Sequence, residues 1–243
     1  MPEQLPFTEL LNRLFAGPVT AFLQAIGIHP TYPQAPITNP VAMQIVVVLL
    51  LTIAFAIVRS RLSVDRPGGL QHMAEFVHGF ISDLAREIIG DESNSFVPYL
   101  TTVGLFILSC NLIGLIPSFE SPTATPSTPL GCAICTFVYY NFHGIRHHGV
   151  GYVKQFMGPV LALSPLLIVI EIVSHLARVL SLTVRLYANM FAGEMVTLAF
   201  FSLIPIAVPV LFMGLHIGVA LIQTYIFVLL TAVYVGGAVS HEH

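Results

Sequence analysis

Five ionisable side chains, Glu171, His175, Arg178, Arg185 and Glu194, stand inside a stretch, 159–201, that has no obvious helix stop. Around them the residues are apolar. The chain as a whole is 56% hydrophobic and 9% charged, with a mean hydropathy of +0.86. A soluble domain carries about a quarter charged residues, so this chain has too few to cover a surface in water. Lipid is therefore the solvent for most of its length. A second uninterrupted run follows at 207–239, with Ile204-Pro205 and Pro209 marking a hairpin between the two. About 43 residues of helix would extend ~64 Å at 1.5 Å per residue. That is twice the thickness of bilayer hydrocarbon, and mismatch absorbs only a few ångström. The spacing predicts two long, strongly inclined helices.

The remaining apolar runs predict three ordinary spans, 41–58, 99–116 and 130–146, for an all-α membrane protein with five transmembrane helices. Within 41–58 only Gln44 and Thr52 are polar, whereas Asn141 and His143 bring the third span to the interface. Residues 70–89 differ: Leu70, Met73, Phe76, Val77, Phe80, Ile81, Leu84 and Ile88 recur at helical spacing, with His72, Glu75, Asp83, Arg86 and Glu87 between them. That pattern predicts an amphipathic helix on the membrane surface or against a partner, a soluble linker helix being the alternative. Residues 1–40 lack the basic start and short apolar core of a secretory signal and are read as a tail of the mature protein. Of nine Lys and Arg, two lie inside the fourth span. With five spans, Arg59, Arg61, Arg66, Arg86, Arg146 and Lys154 fall on one side and Arg13 alone on the other. The positive-inside rule then puts the N-terminus outside and the C-terminus in the cytoplasm.

Ionisable groups at membrane depth cost ~2.5–3.5 kcal/mol each on insertion scales. Snorkelling serves Glu171 or Arg178, but not Arg185, which has apolar sequence on both sides. At ~100° per residue, Glu171, Arg178 and Arg185 share one stripe, with Ser181 and Asn189 one turn either side of Arg185. Glu194 points to the opposite face. The fifth span carries His216, Gln223 and Tyr234 on a stripe of its own. A hairpin centred on Pro205 would set Glu194 against His216 and bring Arg185 near Tyr225. A buried carboxyl beside an imidazole suits a relay that takes and releases protons, the alternative being a static pair that pins two helices. Arg185 is a permanent cation, so its part is to pair with or repel a titrating carboxylate and to block leakage.

Other functions are disfavoured. No basic block points to nucleic acid. Cys132 and Cys135 form a C-x-x-C without a second pair, inside a membrane run, which argues against a redox or metal role. His147-His148 and His241-Glu242-His243 read as solvated interfacial residues rather than metal ligands, and no cofactor is expected. No internal repeat of the transporter kind and no H-E-x-x-H motif is present, and a purely structural anchor would not need Arg185 or Glu194.

The run Ser181-Leu-Thr-Val-Arg-Leu-Tyr-Ala-Asn-Met-Phe-Ala-Gly-Glu194, then His216 and Ile222-Gln-Thr-Tyr-Ile-Phe227, resembles subunit a of F-type ATP synthases. So do Asn111-Leu-Ile-Gly-Leu-Ile-Pro117 and the closing Ser240-His-Glu-His243. The resemblance implies a stator beside a ring of c subunits, held by a b-subunit peripheral stalk, in ATP synthesis coupled to proton transport. Arg185 would face the ring carboxylate as the gating charge. An outer half-channel would run past Asn111, Glu194, His216 and Gln223, and an inner one past Glu171, Ser174, His175 and Ser181, with Asn189 beside the gate. The order of Glu194 and His216 is similar to the bacterial arrangement, which implies a bacterial plasma membrane rather than a thylakoid. Gly114 departs from relatives that carry an acidic residue there.

Overall fold

The computed structural model describes residues 4–30, 32–63, 67–116, 119–149, 164–203 and 207–239. Arg66, Pro117, Lys154, the 159–163 start of the fourth span, the turn at Pro205 and the closing 240–243 lie outside these. The described residues form no strand; they form helices α1 (Pro6–Ala25), α2 (Asn39–Ser60), α3 (Gly69–Ile89), α4 (Val97–Ile113), α5 (Ser127–His148), α6 (Ser164–Leu203) and α7 (Ala207–Val239). Short 3-10 turns occupy Asp91–Ser95 and Pro122–Ala124. The protein is an all-α membrane protein. Asn39–Ser60, Leu166–Phe200 and Leu211–Val239 are long and apolar enough to cross a bilayer, and Val97–Ile113 is a shorter apolar helix. At 40 residues, α6 runs about 60 Å at 1.5 Å per residue. Mismatch alone does not absorb such an excess, so α6 must incline or bend. The 22-residue α5 also has the reach to span, but its last turns carry Asn141, His143, Arg146 and His147 and are less apolar.

Local chemistry sets the helix ends. Asn39-Pro40 opens α2 with proline in the first turn, where its missing N–H is not needed. Gly90, at φ 84°, ends α3 in a conformation that side chains rarely adopt. Helix α7 is the hub, packing against α3, α4, α5 and α6. Helices in lipid associate through close packing of small residues, and that is how this hub is built. Ala220, Ala232 and Ala238 are buried on α7. A Cβ on Gly104 of α4 would come within 2.9 Å of Val228 Cγ2. Helix α3 buries Ile81 and Ala85 in the core shared by α4 and α7, while Leu70, Met73, Phe76 and Phe80 stay exposed. It is thus amphipathic and docked on the bundle.

The N-terminal segment read as a tail contains a helix, Pro6–Ala25. Asn12 fastens it: Nδ2 donates to the Ile37 carbonyl at 3.0 Å, and the Ile37 N–H donates to Oδ1 at 3.0 Å. Pro18 sits inside α1.

Candidate functional site

The long hairpin brings most of the polar residues together. Phe200 stacks on Phe212 with ring centroids 4.6 Å apart, Asn189 Nδ2 donates to Gln223 Oε1 at 2.8 Å, and Arg178 lies 5.2 Å over the Tyr234 ring. Partners move by eleven residues along each helix, about three turns, so one antiparallel register holds throughout. It differs by about two residues from a fold centred on Pro205, and two expected contacts change. His216 lies against Gly193, where a Cβ would come within 3.1 Å of the ring. Among the described residues no hydrogen bond or ion pair joins it to the neighbouring Glu194. Tyr225 turns away from Arg185 towards α3, its ring 6.0 Å from Phe80.

Glu194 belongs instead to a buried polar chain contributed by four segments. Its Oε1 accepts the Ser121 backbone N–H at 3.2 Å. Ser121 Oγ lies 3.0 Å from the Cys110 carbonyl and 2.8 Å from Thr123 Oγ1. Thr123 Oγ1 donates to Asn111 Oδ1 at 2.6 Å, and Asn111 Nδ2 reaches Thr224 Oγ1 at 3.4 Å. Asn111 and Thr123 are fully buried. The turn that carries Ser121 fits only because residue 114 is glycine: a Cβ there would sit 2.6 Å from Ser121 Cβ. Glu120 accepts a hydrogen bond from Asn39 Nδ2 at 3.1 Å, tying the turn to the start of α2. Two further buried nitrogens, His216 Nε2 and Gln223 Nε2, meet no hydrogen-bond partner among the described residues. Buried polar atoms need partners, so ones that protein leaves unmet are places for water. Ser121, Thr123 and Thr224 were not singled out from sequence. A Ser/Thr/Pro-rich turn normally lies in solvent, and only Gly114 hints that this one folds inward.

At the other end of α6 a second group forms. His175 is buried; its Nδ1 lies 2.7 Å from the Tyr140 hydroxyl and its Nε2 3.3 Å from Glu171 Oε1. Ser174 is partly buried beside it. Between the two groups stands Arg185, whose Nη2 donates to Ser181 Oγ at 3.2 Å. No carboxylate among the described residues forms an ion pair with it. Ser181, Ala188 and Ala192, on the same face as Arg185, are small and exposed. The face therefore offers a cation and room for another helix. Along the stripe of Glu171, Arg178 and Arg185 the partners differ: Glu171 meets His175, Arg178 meets Tyr234, and Arg185 stays on the open face. No cluster of three or more His, Cys, Asp or Glu suited to a metal occurs among the described residues.

The family described as ATP synthase A chain matches residues 41–236. ATP synthase subunit a of Koribacter versatilis is 57% identical over 244 residues, covering 100% of both chains. The subunit a of Solibacter usitatus is 50% identical over 96% of this chain and 100% of its own. That of a Sulfurihydrogenibium species is 39% identical over 84% of this chain and 98% of its own. With matches that cover the helices, the polar chain and Arg185 together, the protein belongs to the subunit a family of F-type ATP synthases.

Proposed function

We propose that the chain is the stator half of a proton channel, in which two offset half-channels load and unload the carboxylates of a rotating c-ring and Arg185 is the gate between them. The observation that carries this reading is Arg185 itself. It is a permanent cation at mid-helix with no carboxylate partner among the described residues, on an exposed face of small side chains. An unpaired guanidinium in hydrocarbon is costly, and a carboxylate on a neighbouring rotor helix offsets that cost. The buried chain from Glu194 to Asn111, with His216, Gln223 and Asn189, supports an outer half-channel. Glu171, Ser174, His175 and Ser181 support an inner one. Protons do not bypass the rotor, because Arg185 repels them from the gap and does not itself pass them on. A peripheral stalk of b subunits would keep the chain from turning with the ring. The setting is a bacterial plasma membrane, with the N-terminus outside and the C-terminus in the cytoplasm.

Side-specific access tests this. In an assembled complex with Cys110, Cys132 and Cys135 replaced by serine, single cysteines are placed at Asn111 and at Ser174. Silver ion added to the cytoplasmic face of inverted vesicles is expected to block ATP-driven pumping at once with Ser174→Cys, and only after reaching the lumen with Asn111→Cys. Access to both from one face would sink the half-channel assignment.

A further inference from the structure

Tyr140 is buried at 2% exposure and has no part in the half-channels as described above. Its hydroxyl oxygen lies 2.7 Å from His175 Nδ1, and the two rings stack at 5.8 Å with a 16° interplanar angle. Phe137, one turn earlier on α5, meets the same imidazole edge-on at 6.0 Å. The ring of His175 is thus fixed on two sides by α5, with its Nε2 directed at Glu171 Oε1, 3.3 Å away. We propose that Tyr140 is a positioning residue for proton transfer: it holds His175 so that imidazole and Glu171 carboxyl share one transferable proton at the mouth of the inner half-channel. The proposal rests on the inner half-channel reading above.

The chemistry follows from the two ring nitrogens. When the Tyr140 oxygen accepts Nδ1–H, the Nε2 lone pair faces Glu171, and which nitrogen reacts is set by the bond the other makes. On uptake the O–H of a protonated Glu171 breaks as an N–H forms on Nε2, leaving imidazolium beside carboxylate. On release the same proton returns and the carboxyl O–H re-forms. The Nδ1 hydrogen bond persists in both states, so Tyr140 neither gains nor loses a proton. Exposure runs in the required order, with the Glu171 side chain at 38% and that of His175 at 9%. Among the described residues, ionisable groups near the imidazole include Arg178 of α6, which acts on both His175 and the Tyr140 hydroxyl, and Tyr234 of α7; these two lie against each other, and the Tyr234 ring is 6.0 Å from that of Tyr140. A cation held on Tyr234 stands behind the pair and favours carrying the proton outward towards Glu171 rather than deeper along α6.

The test compares Tyr140→Phe, His175→Leu, their double variant and Glu171→Gln in assembled complexes. The readout is ATP-driven pumping into inverted vesicles as external pH, equivalent to cytoplasmic pH, is raised. Phenylalanine keeps the stacked ring and removes only the oxygen. Pumping by Tyr140→Phe is expected to match wild type near pH 6, where protons are plentiful, and to fall about fivefold by about pH 8.5, the weight of one hydrogen bond. His175→Leu should show the same alkaline loss, and the double variant should be no worse than either single, since the pair acts as a unit. A wild-type pH profile for Tyr140→Phe beside an impaired Glu171→Gln would overturn the proposal and leave the inner path standing. Additive losses in the double variant would also overturn it. A Glu171→Gln complex with wild-type pumping at every pH would overturn the inner path itself.

Discussion

At the scale of single residues the site depends on side chains that are absent as much as on those present. Gly193 leaves space for the His216 imidazole, and Gly114 lets the Ser121 turn close over α4. The second contact is the tighter one, because a Cβ at 114 would meet Cβ and backbone of Ser121 at 2.6 and 3.0 Å. Neither the turn nor the helix gives easily, and overpacking of this kind typically costs about 1–3 kcal/mol. Gly114→Ala is therefore expected to assemble but to pump at about a tenth of the wild-type rate, because the turn that holds Glu194 and Asn111 in one chain is displaced. Acidification rates normalised to assembled complex check this, and a wild-type rate would mean that the polar chain is not in the path. The reason for Gly114 lies in a turn seven residues further on. Tyr140 is equally hidden: it is one aromatic residue in a run that reads as a span ending at the interface, and only the bundle brings it to His175.

At the scale of helices, what is legible follows from what periodicity measures. The long hairpin, its polar stripes and the amphipathic character of α3 are all repeats at 3.6 residues, so they can be read without neighbours. The register of the hairpin depends on the turn: a centre at Pro205 pairs Glu194 with His216 and Arg185 with Tyr225, two residues from the register found. The two-residue offset still redirected Glu194 to Ser121 and Tyr225 to Phe80. Helix α1 is hard to read from sequence because its fully buried residues, Thr8 and Asn12, are polar, while the apolar Phe7, Leu11 and Val19 beside them are only partly buried against α2 and α4. Its attachment should accordingly be local. Asn12→Ala leaves the buried N–H and C=O of Ile37 without their partner, a loss of about 1–3 kcal/mol for such groups. The expected result is rapid proteolytic removal of α1 from the assembled protein while α2–α7 remain protected. Unchanged protection of the first 25 residues would show that other contacts hold α1.

At the scale of the molecule, the chain has no chemistry of its own; it is a subunit of a proton-translocating ATP synthase, and its arrangement makes sense beside partners. Its exposed apolar surface on α2, α3 and α6 suits lipid and neighbouring helices rather than water. The proposed orientation, N-terminus outside, rests on the six-to-one asymmetry of Lys and Arg outside the fourth span. With Ala25→Cys and Ser60→Cys made separately in a cysteine-free chain, a membrane-impermeant maleimide should label the first from outside intact cells and the second only in inverted vesicles. The reverse pattern would invert both half-channels. Arg185 is where the gating role is most directly tested. In Arg185→Ala complexes shown to be fully assembled, ATP-driven acidification of inverted vesicles is predicted to vanish and passive proton leak through the membrane sector to rise. Pumping at a near wild-type rate would show that Arg185 does not face the rotor, and the gate and the two half-channels built around it would be contradicted.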